Sequence, residues 1–594
     1  MRKSRRHFLL STATGLGAAA VAATPARLAS AQADAPPVPG TVSVLSAATF
    51  AEAEKLMQVQ MTPAQRTQAA GSWNANFPGI YERRTGPRKV ELPAGAVPYS
   101  TWNPLLPGQP AGPTVARFVR SGAEHWPLPA RDADIAFSPV TRLARWIERR
   151  ELSSERLTRI YLRRLETYNP NLRCAITLTP ELALAQARRA DGEIAAGRYR
   201  GPLHGIPWGG KDLLDTRGIA TTYGAGMFRD RIPASDASVV QRLDAAGAVL
   251  VAKLSLGALA VNDIWFGGQT MNPWLIEEGS SGSSAGPGAA TAAGLVGFSI
   301  GSETGGSIVS PSMRCGVTGL RPTYGRVART GAMTLCWSLD KLGPMTRGVE
   351  DALLVLNAIN GADAGDLQSV DRPLAFDATA GVAGLRVGYI DKWMHEDPAT
   401  DVDRGALDAL RALGMVPTAV SLPDWPYQSL LTILFAEGAA AFEELTLSGA
   451  MDRMPVQSDD AWPNTFRQAR FLSAVDLVQA DRLRRRVAEE MARLFASVDL
   501  LLVPSLRDDI LAITNATGHP SLTMRAGFID VGEARSDWSP DPGHPLPKFS
   551  PPRHVPHGIT LIGRLFDEGT IGSAGLQLER HLAIVDRRPP GYER

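Results

Sequence analysis

Residues Gly279 to Gly325 read GSSGSSAGPGAATAAGLVGFSIGSETGGSIVSPSMRCGVTGLRPTYG. A Gly/Ser run is ordinarily a flexible linker. This one encloses an alanine-rich helix candidate and an apolar strand, Leu295 to Ile300, so it is embedded in structure. Glycines in such a place let backbone N–H groups crowd close to a ligand. Thr304-Gly305-Gly306-Ser307 could gather several amides around one oxygen, the geometry of an oxyanion hole. A tight turn holding a buried serine is the plainer reading of the segment taken alone.

Upstream lies Gly205-Ile206-Pro207-Trp208-Gly209-Gly210-Lys211-Asp212. A lysine that closes an apolar, strand-like run is either an exposed strand end or a buried amine. Burial would push its pKa from about 10.4 toward neutrality, and a neutral lysine can accept a proton from a serine. On a strand, Asp212 would point to the opposite face.

Around these segments the text alternates strand and helix. Cys174 to Leu178, Ala248 to Ala252, Leu385 to Ile390, Asp499 to Pro504 and Ile559 to Gly563 read as strands. A helix with Leu157, Ile160, Tyr161, Leu165 and Tyr168 on one face is expected to start at Ser153 or Ser154 and to end at Asn169-Pro170. The alternation predicts an α/β protein with a central mixed, largely parallel β-sheet covered by helices on both faces. Residues 34–134, rich in Pro and Gly, read as an N-terminal extension packed on the main domain, with a short helix from Thr62-Pro63. The main domain runs over 135–594, and about 425–471 is an aromatic helical insertion expected to line the substrate pocket.

The chain has 594 residues, a net charge of +2 and three cysteines, Cys174, Cys315 and Cys336. This balance gives no reason to expect nucleic acid or acidic lipid as a partner, and three cysteines give no disulfide framework and no C-x-x-C pair. The beginning is distinctive. A basic head with Ser4-Arg5-Arg6-His7-Phe8-Leu9, a mild apolar run to Ala23 and Ala31-Gln32-Ala33 describe a signal peptide over 1–33 of the twin-arginine type. The expectation is export from a bacterial cell, to the periplasm or beyond, by the twin-arginine machinery. The apolar run is shorter than the ~20 residues a span needs, so no stable membrane insertion follows cleavage.

Several motifs in series resemble the amidase signature family. They are G-I-P-x-x-x-K-D at Gly205 to Asp212, Asn272-Pro273-Trp274, Gly282-Ser283-Ser284-Ala285-Gly286, Gly305-Gly306-Ser307-Ile308 with Pro311, Cys315-Gly316, and Gly319-Leu320-Arg321-Pro322-Thr323-Tyr324-Gly325. Thr517-Gly518-His519-Pro520 and Gly558 to Phe566 match its tail, so the resemblance covers about 135–581 in the family's order. It implies the amidase-signature fold and an amide hydrolase with Ser307 as nucleophile, Ser283 as relay on a cis peptide bond after Gly282, and Lys211 as base. The family's 24-residue spacing from relay to nucleophile picks Ser283 over Ser280. Backbone amides of Thr304, Gly305, Gly306 and Ser307 would bind the oxyanion. No metal or organic cofactor is implied, and the partner is a small-molecule amide. Family members between them cleave aryl, fatty, peptide-terminal and small aliphatic amides.

The sequence departs from the family pattern at Ala285-Gly286-Pro287, at Glu303 where an aspartate is usual, and at Val309 where an arginine usually pairs with that acid; Arg314 is the expected substitute. Other readings compete. Gly297-Phe298-Ser299-Ile300-Gly301 and Gly282 to Gly286 around Ser284 both fit the G-x-S-x-G elbow of α/β-hydrolases, although Ser299 lies inside an apolar strand. His554-x-x-His557 is interrupted by Pro556 and reads as a loop rather than a metal site. A non-catalytic binding protein on the same fold, or the glutaminase-type subunit of a tRNA-dependent amidotransferase, are the remaining alternatives. The first would lack the Lys-Ser-Ser set and the second an export signal.

Overall fold

The computed structural model describes residues 45–57, 60–76, 102–110, 112–122, 124, 126–539 and 543–593. The expected signal peptide lies outside them. Eleven strands form one sheet: β1 (Ala175–Leu178), β2 (Pro207–Lys211), β3 (Val249–Leu254), β4 (Phe298–Glu303), β5 (Thr318–Arg321), β6 (Lys341–Thr346), β7 (Arg386–Tyr389), β8 (Val416–Ala419), β9 (Leu500–Pro504), β10 (Ser521–Glu533) and β11 (Lys548–Gly563). Their order in space is β8-β7-β9-β11-β10-β5-β6-β4-β2-β3-β1.

The sheet is mixed, as expected, but parallel pairing does not dominate it. β8, β7 and β9 run parallel, as do β4, β2 and β3. The pairs between these two blocks, from β9 across β11, β10, β5 and β6 to β4, are antiparallel, and so is β3 with β1. The cause lies in composition. Within the parallel blocks, β3, β4, β7 and β9 come from apolar runs that periodicity picks out. β5 and β6 carry Gly319, Arg321, Lys341 and Pro344, and β10 alternates, so no such run announces them. β11 extends well before Ile559 and takes in both His554 and His557, which therefore sit on a strand and not on a loop.

Both faces are covered. Leu522 of β10 meets Gly575 of the helix Glu568–Leu582. Thr523 pairs with Gly319 of β5, which packs against Ile308 and Ser312 on the opposite face. The helix Ser154–Leu172 starts as expected, with the Ser153 hydroxyl accepting the Arg156 N–H, but continues through Pro170. Proline removes one N–H from a solvent-facing last turn, while buried Leu172 and the Arg173 N–H to the Asn169 carbonyl hold that turn together.

The extension packs on the main domain where it is described. Arg117–Val119 pairs in parallel with Ala375–Asp377. The Trp126 carbonyl accepts the Trp146 indole N–H at 2.7 Å, and Trp102 lies edge-on to Tyr324 beneath the Arg484 guanidinium. Two helices precede this segment, the expected Pro63–Asn76 and an unforeseen Ala47–Met57, joined by an Arg66–Glu54 ion pair.

Candidate active site

Lys211 closes β2, between β3 and β4 in the sheet, and is fully buried. Its Nζ lies 2.9 Å from Ser283 Oγ, 3.0 Å from Ser284 Oγ and 2.8 Å from Ser302 Oγ. Among the described residues no carboxylate pairs with it. Asp212 points to the other face, as the strand period requires, where Lys253 Nζ meets its Oδ1 at 2.9 Å and Thr222 donates to its Oδ2. Burial holds the Lys211 pKa well below the usual lysine range, against the opposing pull of Asp340 and Glu303.

Ser283 follows a cis peptide bond at Gly282–Ser283. A side chain at residue 282 would strike the Asn262 carbonyl oxygen at 1.7 Å, so only glycine fits there. From Ser284 the backbone enters the helix Ala285–Ala292, and the Ser284 N–H donates to the Ser307 carbonyl at 3.1 Å, which ties the two serine segments together. Of the three residues that the family resemblance singles out, Lys211 and Ser283 are in contact, and Ser307 is tied through its carbonyl to the residue after Ser283. Lys211 and Ser283 are buried, and Ser307 is partly buried.

Ser307 lies on the turn between β4 and the helix Val309–Cys315. Gly306 takes a φ of +122°, a conformation that side chains disfavour. Among the described residues the N–H groups of Gly305, Gly306 and Ser307 find no protein acceptor. The next two amides are occupied: Ile308 and Val309 both donate to Glu303 Oε2, at 2.7 and 2.9 Å. Glu303 Oε1 receives Arg321 Nη1 at 2.6 Å and Asn515 Nδ2 at 3.0 Å. The expectation that Arg314 replaces the arginine lost at Val309 therefore fails. Arg314 pairs with Asp537 at 3.1 Å, and the partner of Glu303 comes from β5. A glutamate is one methylene longer than aspartate, which lets the carboxylate reach β5 from β4.

The elbow reading is not supported. Ser299 is buried within β4, with its hydroxyl on Thr291 and on the Pro287 carbonyl. Ser284 is spent on Lys211 and on the backbone of Ser302. His557 contacts Asp403 and His554 contacts Asp530, each a separate pair.

A cavity of about 120 Å³ opens beside Ser302 and Thr304. Its walls include Leu213, Ala260, Met333, Leu335 and Leu342, together with Arg329, Asp340 and Asp366. The Thr304 hydroxyl donates to Asp340 Oδ1 at 2.6 Å. The 425–471 insertion is helical, as expected, with Leu431–Ala441, Glu443–Leu447 and Trp462–Ala469 among its elements. It does not itself line this cavity. Gly438 and Phe466 back Leu335, Phe442 is buried against Phe466, and Phe435 borders a separate surface groove.

Sequence reading missed Ser284 and Ser302 as neighbours of Lys211, Asp340 as the anchor of Thr304, and Arg321 with Asn515 as the anchors of Glu303. Arg321 belongs to the quoted GLRPTYG motif, but no spacing rule joins it to a residue 18 positions upstream. Only the sheet order places β5 next to β6 and β6 next to β4.

The amidase family profile matches residues 156–571. The AmiD protein of Mycobacterium tuberculosis is 36% identical over 483 residues, covering 77% of this chain and 99% of its own length. A glutamyl-tRNA(Gln) amidotransferase subunit from Methylococcus capsulatus is 34% identical over 485 residues, covering 76% and 98%. Among solved structures, the native peptide amidase of Stenotrophomonas maltophilia superposes with a TM-score of 0.64 at 29% identity, over 77% of this chain and 99% of that one. With a family profile across more than half of its length and relatives above 30% identity matched almost end to end, the chain belongs to the amidase family.

Proposed function

We propose that this amide hydrolase works through an acyl-enzyme on Ser307, with Ser283 as proton relay and Lys211 as base. The observation that carries the reading is the buried Lys211 amine in contact with three serine hydroxyls and, among the described residues, no carboxylate. Proton bookkeeping assigns the direction of each contact. Ser284 has one O–H, which points to the Ser302 carbonyl at 3.0 Å, so its oxygen must accept from Lys211. If the second N–H of a neutral amine goes to Ser302 Oγ, the nitrogen lone pair is left for Ser283. Lys211 then takes the Ser283 proton while Ser283 takes that of Ser307, and Ser307 attacks the amide carbon. The unoccupied amides of Gly305, Gly306 and Ser307, with that of Thr304 as a fourth candidate, receive the oxyanion, each good donor contributing about 3 kcal/mol. The proton returns to the leaving amine, and water releases the acyl group.

A fluorophosphonate probe tests the assignment. It is expected to label Ser307, in the peptide holding Gly305-Gly306-Ser307, and to label nothing in a Ser307→Ala protein. Labelling at Ser299 or Ser284 would overturn it. The leader at 1–33 supports a bacterial exported enzyme, acting in the periplasm or outside the cell after passage through the twin-arginine machinery.

A further inference from the structure

Of the charged side chains in the cavity beside Thr304, Arg329 and Asp366 have no capacity left for a ligand, and Asp340 keeps about one acceptor site. Arg329 has five N–H groups, and all five are used. Nε and one Nη2 hydrogen go to the two oxygens of Asp366, both at 2.9 Å, and the other Nη2 hydrogen goes to Gln368 Oε1 at 2.7 Å. Nη1 donates to the Trp337 carbonyl at 2.6 Å and the Asp340 carbonyl at 3.4 Å. Asp366 also receives the backbone N–H groups of Arg329 and Gln368. The carboxylate of Asp340 uses three of its acceptor sites, with Oδ1 on Thr304 and Oδ2 on the amides of Leu335 and Cys336. Thr330 is bonded to Asp363, and the Ser302 hydroxyl to Lys211. The surface left for a ligand is that of Leu213, Ala260, Met333, Leu335 and Leu342, with the Thr334 hydroxyl as a neutral polar group.

We infer that this cavity is the specificity pocket for a compact, apolar substituent flanking the scissile amide, and that amides bearing a carboxylate at that position are excluded. The inference rests on the acyl-transfer reading above and adds the substrate class to it. Location supports it: Thr304 is three residues from Ser307, and Ser302 touches Lys211, so the cavity adjoins the reacting groups. Size supports it too. A dry cavity of ~150 Å³ holds a benzene ring, so about 120 Å³ takes a branched alkyl group or at most a small ring. A carboxylate entering this space would lose its water and meet an arginine already paired with Asp366 and the Asp340 carboxylate, whose partners are a hydroxyl and two backbone amides, so burial would penalise it heavily.

The test uses the purified enzyme with two near-isosteric pairs in which a carboxylate replaces an isopropyl group. 4-Methylpentanamide against succinamate varies the acyl side, and N-isobutylacetamide against N-acetylglycine varies the amine side. The neutral member is expected to lead by at least about 100-fold in kcat/KM in one pair or both. Leu335→Lys, or Met333→Lys where the first variant does not fold, is expected to move that ratio at least about tenfold toward the carboxylate. Equal turnover of charged and neutral members in both pairs, with Ser307 still labelled by fluorophosphonate, would overturn the pocket while leaving acyl transfer standing. Failure of Ser307 to label would remove both.

Discussion

Arg321 Nη1 lies 2.6 Å from Glu303 Oε1 with both side chains fully buried, and the other oxygen of the same carboxylate caps the amides just past Ser307. The pair therefore fixes where the nucleophile turn begins. Arg321→Met strands a buried charge and is expected to cost about 3–5 kcal/mol of stability, together with activity, because the Ile308 and Val309 amides lose a fixed acceptor. Arg314→Met should instead disturb Asp537 and leave the Ile308 and Val309 amides on their carboxylate. Thermal unfolding and kcat/KM of the two variants check this. Equal losses of activity at matched stability would contradict it.

Lys211 carries a pH prediction whose sign is fixed by burial. Its folded pKa is depressed, so between that value and the unfolded value near 10.4 the unfolded chain binds more protons than the folded one, and stability rises with pH across that window. A neutral base also means that kcat/KM climbs with pH through the folded pKa and then levels off. Lys211→Met should abolish the rising limb and most of the rate while making the protein no less stable at neutral pH, since a desolvated amine is replaced by an apolar chain of similar length. Lys211→Arg should be as inactive as Met, because guanidinium keeps its proton. An active arginine variant would disprove general-base catalysis at this position.

Replacing Arg5 and Arg6 together by lysine should leave the uncut precursor in the cytoplasm. Fractionation of the producing cells measures this. Unchanged export would assign the leader to the general secretory route.

Phe442 and Phe435 separate two roles within the insertion. Phe442 stacks on Phe466, which stacks in turn on Trp462, whose indole N–H reaches the Leu259 carbonyl at 2.8 Å. Phe442→Ala should lower stability by about 3–5 kcal/mol and slow all substrates by a similar factor. Phe435→Ala, at a surface groove, should do neither. A change of preference across acyl chain lengths in either variant would bring the insertion back into substrate selection.

Which parts of this molecule could be read from its sequence follows from the range of the forces involved. The strands numbered β1, β3, β7 and β9 are short apolar runs, β3 and β9 fully buried, and each is legible within a residue or two. The apolar run that marks β4 starts three residues ahead of the strand, because Leu295 and Val296 extend it. β5, β6 and β10 were not legible. Their place depends on partners distant in the chain, such as Thr523 opposite Gly319, and local composition does not encode that pairing. The site divides the same way. Lys211, Ser283 and Ser307 each sit in a short motif. The residues that hold them, Ser302, Asp340, Arg321 and Asn515, are recruited through the sheet and leave no local trace.

The packing of Trp102, Arg117–Val119, Ser121 and Trp126 bears on how the gene can be cut. A chain started at the family boundary near 134 would leave the Trp146 indole N–H buried without the Trp126 carbonyl, and Glu350 without the Ser121 N–H that it accepts at 2.8 Å. It would also uncover the edge of Ala375–Asp377 that Arg117–Val119 occupies. A bare strand edge recruits other chains, so such a truncation would fail by self-association while its catalytic residues remained intact, and a soluble truncated enzyme has to begin upstream of Trp102.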